Sequence, residues 1–167
     1  GAQKMKKHDR KLTVFLDIDG VLNTDKTVQR TPDGYRSIED SRVELLANVI
    51  DKYGGADIVL SSDWKDMREN DDDYIYLTAK LHKYGLTLLG HTKDKLYDRG
   101  AGIKKYLTEH PEVEEYVVID DNTFDFQNYR KIWERLILTN GIEDSQLASE
   151  TPAIEALIFM DYIKEMS

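Results

Sequence analysis

Apolar and polar positions alternate along this chain in two kinds of block. Short apolar, β-branched runs at 12–17, 57–61, 86–89, 115–120 and 135–139 predict strands. Between the first two, Val43, Leu46, Val49, Ile50 and Tyr53 recur at helical spacing and predict a helix over 41–53 that stops at Gly54-Gly55. A second helix is predicted over 74–84, stopping at Gly85, and a third over 100–109, ended by His110-Pro111. The last is predicted from Thr151, as N-cap with Pro152 in the first helical position, to about Glu165, turning Ile154, Leu157, Ile158 and Tyr162 inward. Strands alternating with helices build an α/β fold of three layers, a mostly parallel sheet flanked by helices.

Two stretches fall outside these units. Residues 24–38 are polar, carry the turn signal Pro32-Asp33-Gly34, and predict a short flap or hairpin. Residues 66–73 are highly charged, and Asp71, Asp72 and Asp73 read as a solvated helix N-terminus rather than a calcium site.

Composition narrows the classes. The 167 residues suit one domain over 12–167, preceded by a basic leader over 1–11 that reads as disordered or in part an expression remnant. There is no cysteine, so any metal site must use oxygen or imidazole, and a reducing, cytoplasmic setting fits. No apolar run has the length of a membrane span. The net charge of -9 weighs against nucleic acid as a partner without excluding it.

Candidate chemistry collects at strand ends. The first strand runs into Asp17-Ile18-Asp19-Gly20; the i, i+2 spacing aims both carboxylates one way, where they crowd each other unless a cation or a proton intervenes. Asp-Gly is also ordinary turn chemistry. The next strand ends in Ser61-Ser62-Asp63-Trp64 and the fourth in Asp120-Asp121-Asn122, while Arg99 opens a helix between them. Parallel sheets bind ligands outside these ends. Each group has a plainer reading too: either serine as a helix cap, Arg99 as a surface ion pair replaceable by Lys93 or Lys95, Asp120-Asp121 as a strand end, Trp64 as core, Asn23 as a turn residue, Asp125 as a loop acid or a helper behind the site. The four histidines show no metal-ligand spacing.

Taken together, Asp17-Ile18-Asp19-Gly20-Val21, Ser61 or Ser62, Arg99 and Asp120-Asp121 resemble, in order, the four motifs of the haloacid dehalogenase-like (HAD) hydrolases, the aspartate-nucleophile phosphatases. The likeness covers about residues 12–139. More narrowly, Ser61-Ser62-Asp63-Trp64, Arg99-Gly100 with Ile103 and Leu107, and Ile119-Asp120-Asp121 look like small HAD domains associated with nucleic-acid repair proteins.

The resemblance implies a Rossmann-like, HAD-type fold and a Mg²⁺-dependent phosphatase acting on a phosphate monoester. Asp17 would be the nucleophile that forms an aspartyl-phosphate, and Asp19 the acid and base. Mg²⁺ would be held by the Asp17 side chain, the Asp19 backbone carbonyl and Asp121, with Asp120 competing for the last place. Arg99 would stabilise Asp17 and the transferring oxygens, and Ser61 or Ser62 would bind the phosphoryl group, Ser61 being favoured because it directly follows the apolar run. Asn23 and Trp64 are the further candidates for substrate contact.

In this family a cap is inserted after the first motif or between the second and third. The intervals 24–56 and 65–98 leave room for a flap but no sizeable cap. An open site suits a small phosphate ester or a macromolecular end. A phosphotransferase on the same site and a noncatalytic phosphate-binding or scaffolding domain are the rival readings. A nucleotide-binding dehydrogenase is excluded because no Gly-rich fingerprint follows the first strand. Arg99→Ala is expected to weaken the chemistry while leaving the fold largely intact.

Overall fold

A computed structural model describes residues 11–94 and 98–167. The basic leader up to Arg10, and Lys95 as an alternative cation, lie outside the described residues. Lys11 pairs with Asp57 at 3.0 Å.

Strand β1 (Leu12–Leu16) is buried along its whole length. It lies at the centre of a six-stranded sheet of order β3-β2-β1-β4-β5-β6, formed with β2 (Ala56–Leu60), β3 (Leu88–His91), β4 (Glu115–Asp120), β5 (Leu136–Thr139) and β6 (Ser145–Leu147). The first five strands are parallel, and β6 runs antiparallel on the β5 edge. Alternation along β1 divides the core. Leu12, Val14 and Leu16 pack with residues of α1 (Asp40–Tyr53), α2 (Asp72–Lys83) and α5 (Ile154–Met166). Phe15 points the other way, with Ile103 and Tyr106 of α3 (Arg99–Glu109) and Ile132 of the short α4 (Arg130–Trp133). This is the mostly parallel α/β arrangement expected, and among the described residues the two intervals hold only flap, helix and strand, with no inserted cap. No helix among these residues is long and apolar enough to cross a membrane.

Several boundaries move. The third strand is 88–91, not 86–89, because Leu86 still completes the end of α2, its N–H donating to the Leu81 carbonyl at 2.9 Å. The three-residue β6 lacks an apolar run and was not foreseen. Helix α5 begins at Ile154 with Ala153 as its N-cap, not at Pro152 behind Thr151. Its buried face is Glu155, Ala156, Phe159, Met160 and Ile163, whereas Ile154 is 64% exposed and Leu157 39%. Ile158 and Tyr162 are half-buried against the core. The helix is apolar on most sides, so periodicity alone does not choose a face. Glu155 lies on the buried side, paired with Arg135 at 2.8 Å.

Residues 24–38 form the expected flap. It is a hairpin with an antiparallel bridge between Arg30 and Arg36 and a Thr31 N–H bond to the Tyr35 carbonyl at 2.8 Å. Asp73 anchors it. Rather than standing in solvent, this carboxylate is 1% exposed and accepts from the Thr31 hydroxyl at 2.7 Å and the Asp33 N–H at 3.0 Å. Ser37 adds a 2.6 Å hydroxyl contact with Tyr76. Asp73→Ala leaves the buried Thr31 hydroxyl and the Asp33 N–H without their acceptor, so a loss of about 1–3 kcal/mol is expected. Denaturant unfolding, with faster amide exchange in residues 31–35, checks this.

Candidate active site

The parallel register delivers the site. The Asp17 N–H donates to the Ile119 carbonyl at 3.0 Å and the Ser61 N–H to the Leu16 carbonyl at 2.9 Å, so the ends of β1, β2 and β4 open at one level. There, carboxylate oxygens of Asp17, Asp120 and Asp121 lie within 4.8 Å of one another. Asp17 and Asp120 are buried and Asp121 is exposed. Burial first, then repulsion from Asp120, holds the Asp17 carboxyl well above the ordinary carboxylate range against the pull of Arg99. Asp120 is pushed up to about 7 by burial, again opposed by Arg99.

Arg99 is the counter-charge. One Nη1 donates to Asp120 at 2.8 Å and lies 3.2 Å from Asp17, while Nη2 reaches Asp63 at 3.4 Å. Its guanidinium lies over the Phe124 ring, 4.3 Å from the centroid. Burial works against its charge, but Asp120 and Asp17 hold its pKa above the ordinary value, so it stays a cation. One buried cation is shared by carboxylates that crowd each other, so with all three ionised the cluster carries net negative charge. Oxygen donors of this kind fit a hard divalent cation.

The crowding expected between Asp17 and Asp19 arises instead among Asp17, Asp120 and Asp121. The Asp19 side chain is held apart from that cluster, accepting from the Trp64 indole N–H at 3.1 Å and the Asn23 amide at 2.8 Å. The two serines separate. Ser62 Oγ accepts from the Trp64 N–H at 3.3 Å and caps the single helical turn Asp63–Asp66. Ser61 is fully buried beside the site, and its hydroxyl has no hydrogen-bond partner among the described residues.

Residues 13–145 match the family described as "HAD domain in Swiss Army Knife RNA repair proteins". The chain belongs to this family. No curated protein matches the sequence. Among solved structures, a 3-deoxy-D-manno-octulosonate 8-phosphate phosphatase from Moraxella catarrhalis, in complex with magnesium ion, phosphate ion and KDO, aligns at 16% identity. That alignment has a TM-score of 0.42 and covers 77% of this chain and 67% of its own. A Vibrio cholerae structure described as a candidate enzyme of the same name aligns at 15% identity with a TM-score of 0.45, over 95% and 86%.

Within this HAD domain, Asn23 belongs to the scaffold. It is fully buried, its Oδ1 accepts from the Gly20 N–H at 3.0 Å, and its amide donates to Asp19 and, at 2.9 Å, to the Ser37 carbonyl. It therefore ties Asp19 to the flap. Trp64, 5% exposed, packs in the core and presents its N–H to Asp19. Asp125 lies at the start of the helix that carries Arg99: its carboxylate accepts from the Gly100 and Ala101 N–H groups at 2.5 and 3.1 Å, satisfying the first turn of α3. Phe124, at φ 40, lies under the Arg99 guanidinium, a placement that no local sequence pattern marks. Lys93 pairs with none of these carboxylates among the described residues. Lys65, also unmarked by any pattern, lies buried 3.3 Å from Asp94. His82, His91 and His110 lie outside the acidic cluster; His8 is outside the described residues.

Gly20 is required twice over. Its φ is +87°, and a Cβ there would stand 2.3 Å from Asp121 Oδ2. Gly20→Ala must displace Asp121 from the carboxylate cluster, so if Asp121 holds Mg²⁺ as proposed below, Mg²⁺ binding falls roughly tenfold or more. Thermal-shift titration with Mg²⁺ measures it.

Proposed function

We propose that this HAD domain is a Mg²⁺-dependent phosphatase that hydrolyses a phosphate monoester through an aspartyl-phosphate on Asp17. The observation that carries the reading is the cluster of Asp17, Asp120 and Asp121 bridged by Arg99, with an unpartnered Ser61 hydroxyl beside it. Asp17, Asp120 and Asp121 would hold Mg²⁺, with the Asp19 backbone carbonyl as a further donor. When bound, the ion neutralises carboxylates that burial otherwise drives toward protonation and polarises the phosphoryl oxygens as a Lewis acid.

The remaining work falls to the chain. The Asp17 carboxylate attacks phosphorus, forming the new O–P bond as the ester O–P bond breaks. Asp19, fixed by Trp64 and Asn23, gives its proton to the leaving alcohol oxygen. Arg99 and the Ser61 hydroxyl carry the negative charge on the transferring oxygens. Asp19, now ionised, removes a proton from water, which attacks phosphorus and releases inorganic phosphate from Asp17. Membership in a family named for RNA repair supports a nucleic-acid end as substrate, and the absence of a cap among the described residues leaves room for one. Phosphate release from an aryl phosphate with and without Mg²⁺ tests the class: turnover that depends on the metal supports it, and none from the folded protein counts against it.

A further inference from the structure

We infer that the cleft between the flap and the turn Asp63–Asp66 is the leaving-group subsite, and that Tyr35 and Arg36 in it select a nucleotide: an alcohol bearing a flat ring and a second negative charge. The inference rests on the phosphatase reading above and adds residues to it. The cleft, about 320 Å³, is lined by Asp19, Tyr35, Arg36, Asp63, Trp64 and Met67. Asp19 is the group that protonates the departing oxygen. The alcohol must therefore leave on the side that Asp19 faces, and this cleft is on that side.

Two independent features of the wall define what fits. Tyr35 is 67% exposed, yet its backbone is held at both ends, its N–H donating to the Thr31 hydroxyl at 3.0 Å and its carbonyl accepting from the Thr31 N–H at 2.8 Å. The hairpin below it is locked by Asp73 and Ser37. A large exposed ring carried on an anchored backbone at the mouth of a cleft is a stacking platform for a second ring. Trp64 lies in the wall with its N–H engaged by Asp19, so the free face belongs to Tyr35.

Arg36 supplies the second feature. It is half-buried and makes no ion pair among the described residues, although the domain is strongly acidic and Asp19 and Asp63 line the same cleft. A guanidinium so placed suits a phosphate at some distance from the one being removed, bound through its forked donors. A cleft in the same region, lined by Asp121, Asn122, Thr123, Thr139, Asn140 and Gln146 among others, contains no aromatic residue and not Asp19. It suits the leaving group less well.

The test compares kcat/KM for a nucleoside 3′,5′-bisphosphate and for a short single-stranded oligonucleotide with a terminal phosphate, each relative to glycerol phosphate. Tyr35→Ala should lower both ratios roughly tenfold, the scale of one lost base stack, and Tyr35→Phe should restore them. Arg36→Ala should lower the ratios for these two substrates and leave that for a nucleoside monophosphate alone. Ratios unchanged in both alanine variants overturn the assignment. Calorimetric titration of the nucleoside bisphosphate separates the two levels of the claim. Binding weakened by Tyr35→Ala in a protein without turnover keeps the cleft and rejects the phosphatase, whereas neither binding nor turnover rejects both.

Discussion

Asp17→Asn should abolish turnover, lowering kcat by at least roughly 10³-fold, because the amide cannot act as the phosphorus nucleophile. The fold should not suffer. Asp17 is 4% exposed, and burial with Asp120 beside it disfavours its charged form. A neutral, near-isosteric side chain removes that repulsion and leaves Arg99 paired with Asp120. Without added metal the variant should melt at or above the wild-type temperature at neutral pH. The stabilisation that Mg²⁺ gives the wild type should shrink, since one of its carboxylates is gone. Thermal denaturation with and without Mg²⁺, alongside the kinetics, reads all three outcomes. A large fall in melting temperature would mean that Asp17 serves the fold instead.

Arg99→Ala should be both inactive and unstable, in a way that depends on pH. On the proposed mechanism, removing the Arg99 charge from the transferring oxygens lowers kcat by about 10²–10³. The sequence-based expectation that the fold would be largely intact does not survive the geometry, because Arg99 is buried and shared by two buried carboxylates. Stranding such charges costs about 3–5 kcal/mol when they stay ionised. They can instead take up protons, which sets the direction.

A carboxyl whose folded pKa is raised contributes stability that is complete below its unfolded value of about 4 and is lost as pH rises through the folded value. For Asp120 that folded value is about 7 with Arg99 in place, and loss of the cation moves it higher. The variant should therefore lie near the wild type at about pH 5 and fall further behind it towards about pH 8. Arg99→Lys should recover part of the stability but not both contacts, since one ammonium lacks the planar fork. Melting curves across this range decide it; a deficit independent of pH would place the loss in packing on Phe124.

Sequence patterns read the central sheet well because its strands are short apolar runs punctuated by charge. β1 shows this most clearly: five buried residues end directly at Asp17. The adjacent serines look alike in the sequence, whereas in the structure the helical turn occupies the Ser62 hydroxyl and that of Ser61 has no partner among the described residues. The charged neighbours of Asp73 point to a solvated carboxylate, whereas its partners lie 42 and 40 positions away on the flap. The i, i+2 spacing aims Asp19 alongside Asp17, yet its hydrogen bonds run to Trp64 and Asn23. Periodicity reports the face of an element. It carries no information about which distant donor meets a given carboxylate, and that is where this site is built.

The most direct test of the account is to acid-quench the protein during turnover of an aryl phosphate with Mg²⁺ and map any added phosphoryl group by peptide mass spectrometry. The account predicts a phosphoryl group on the peptide carrying Asp17, absent from Asp17→Asn. Steady turnover with the phosphoryl group on another residue, or undiminished turnover in Asp17→Asn, would contradict it.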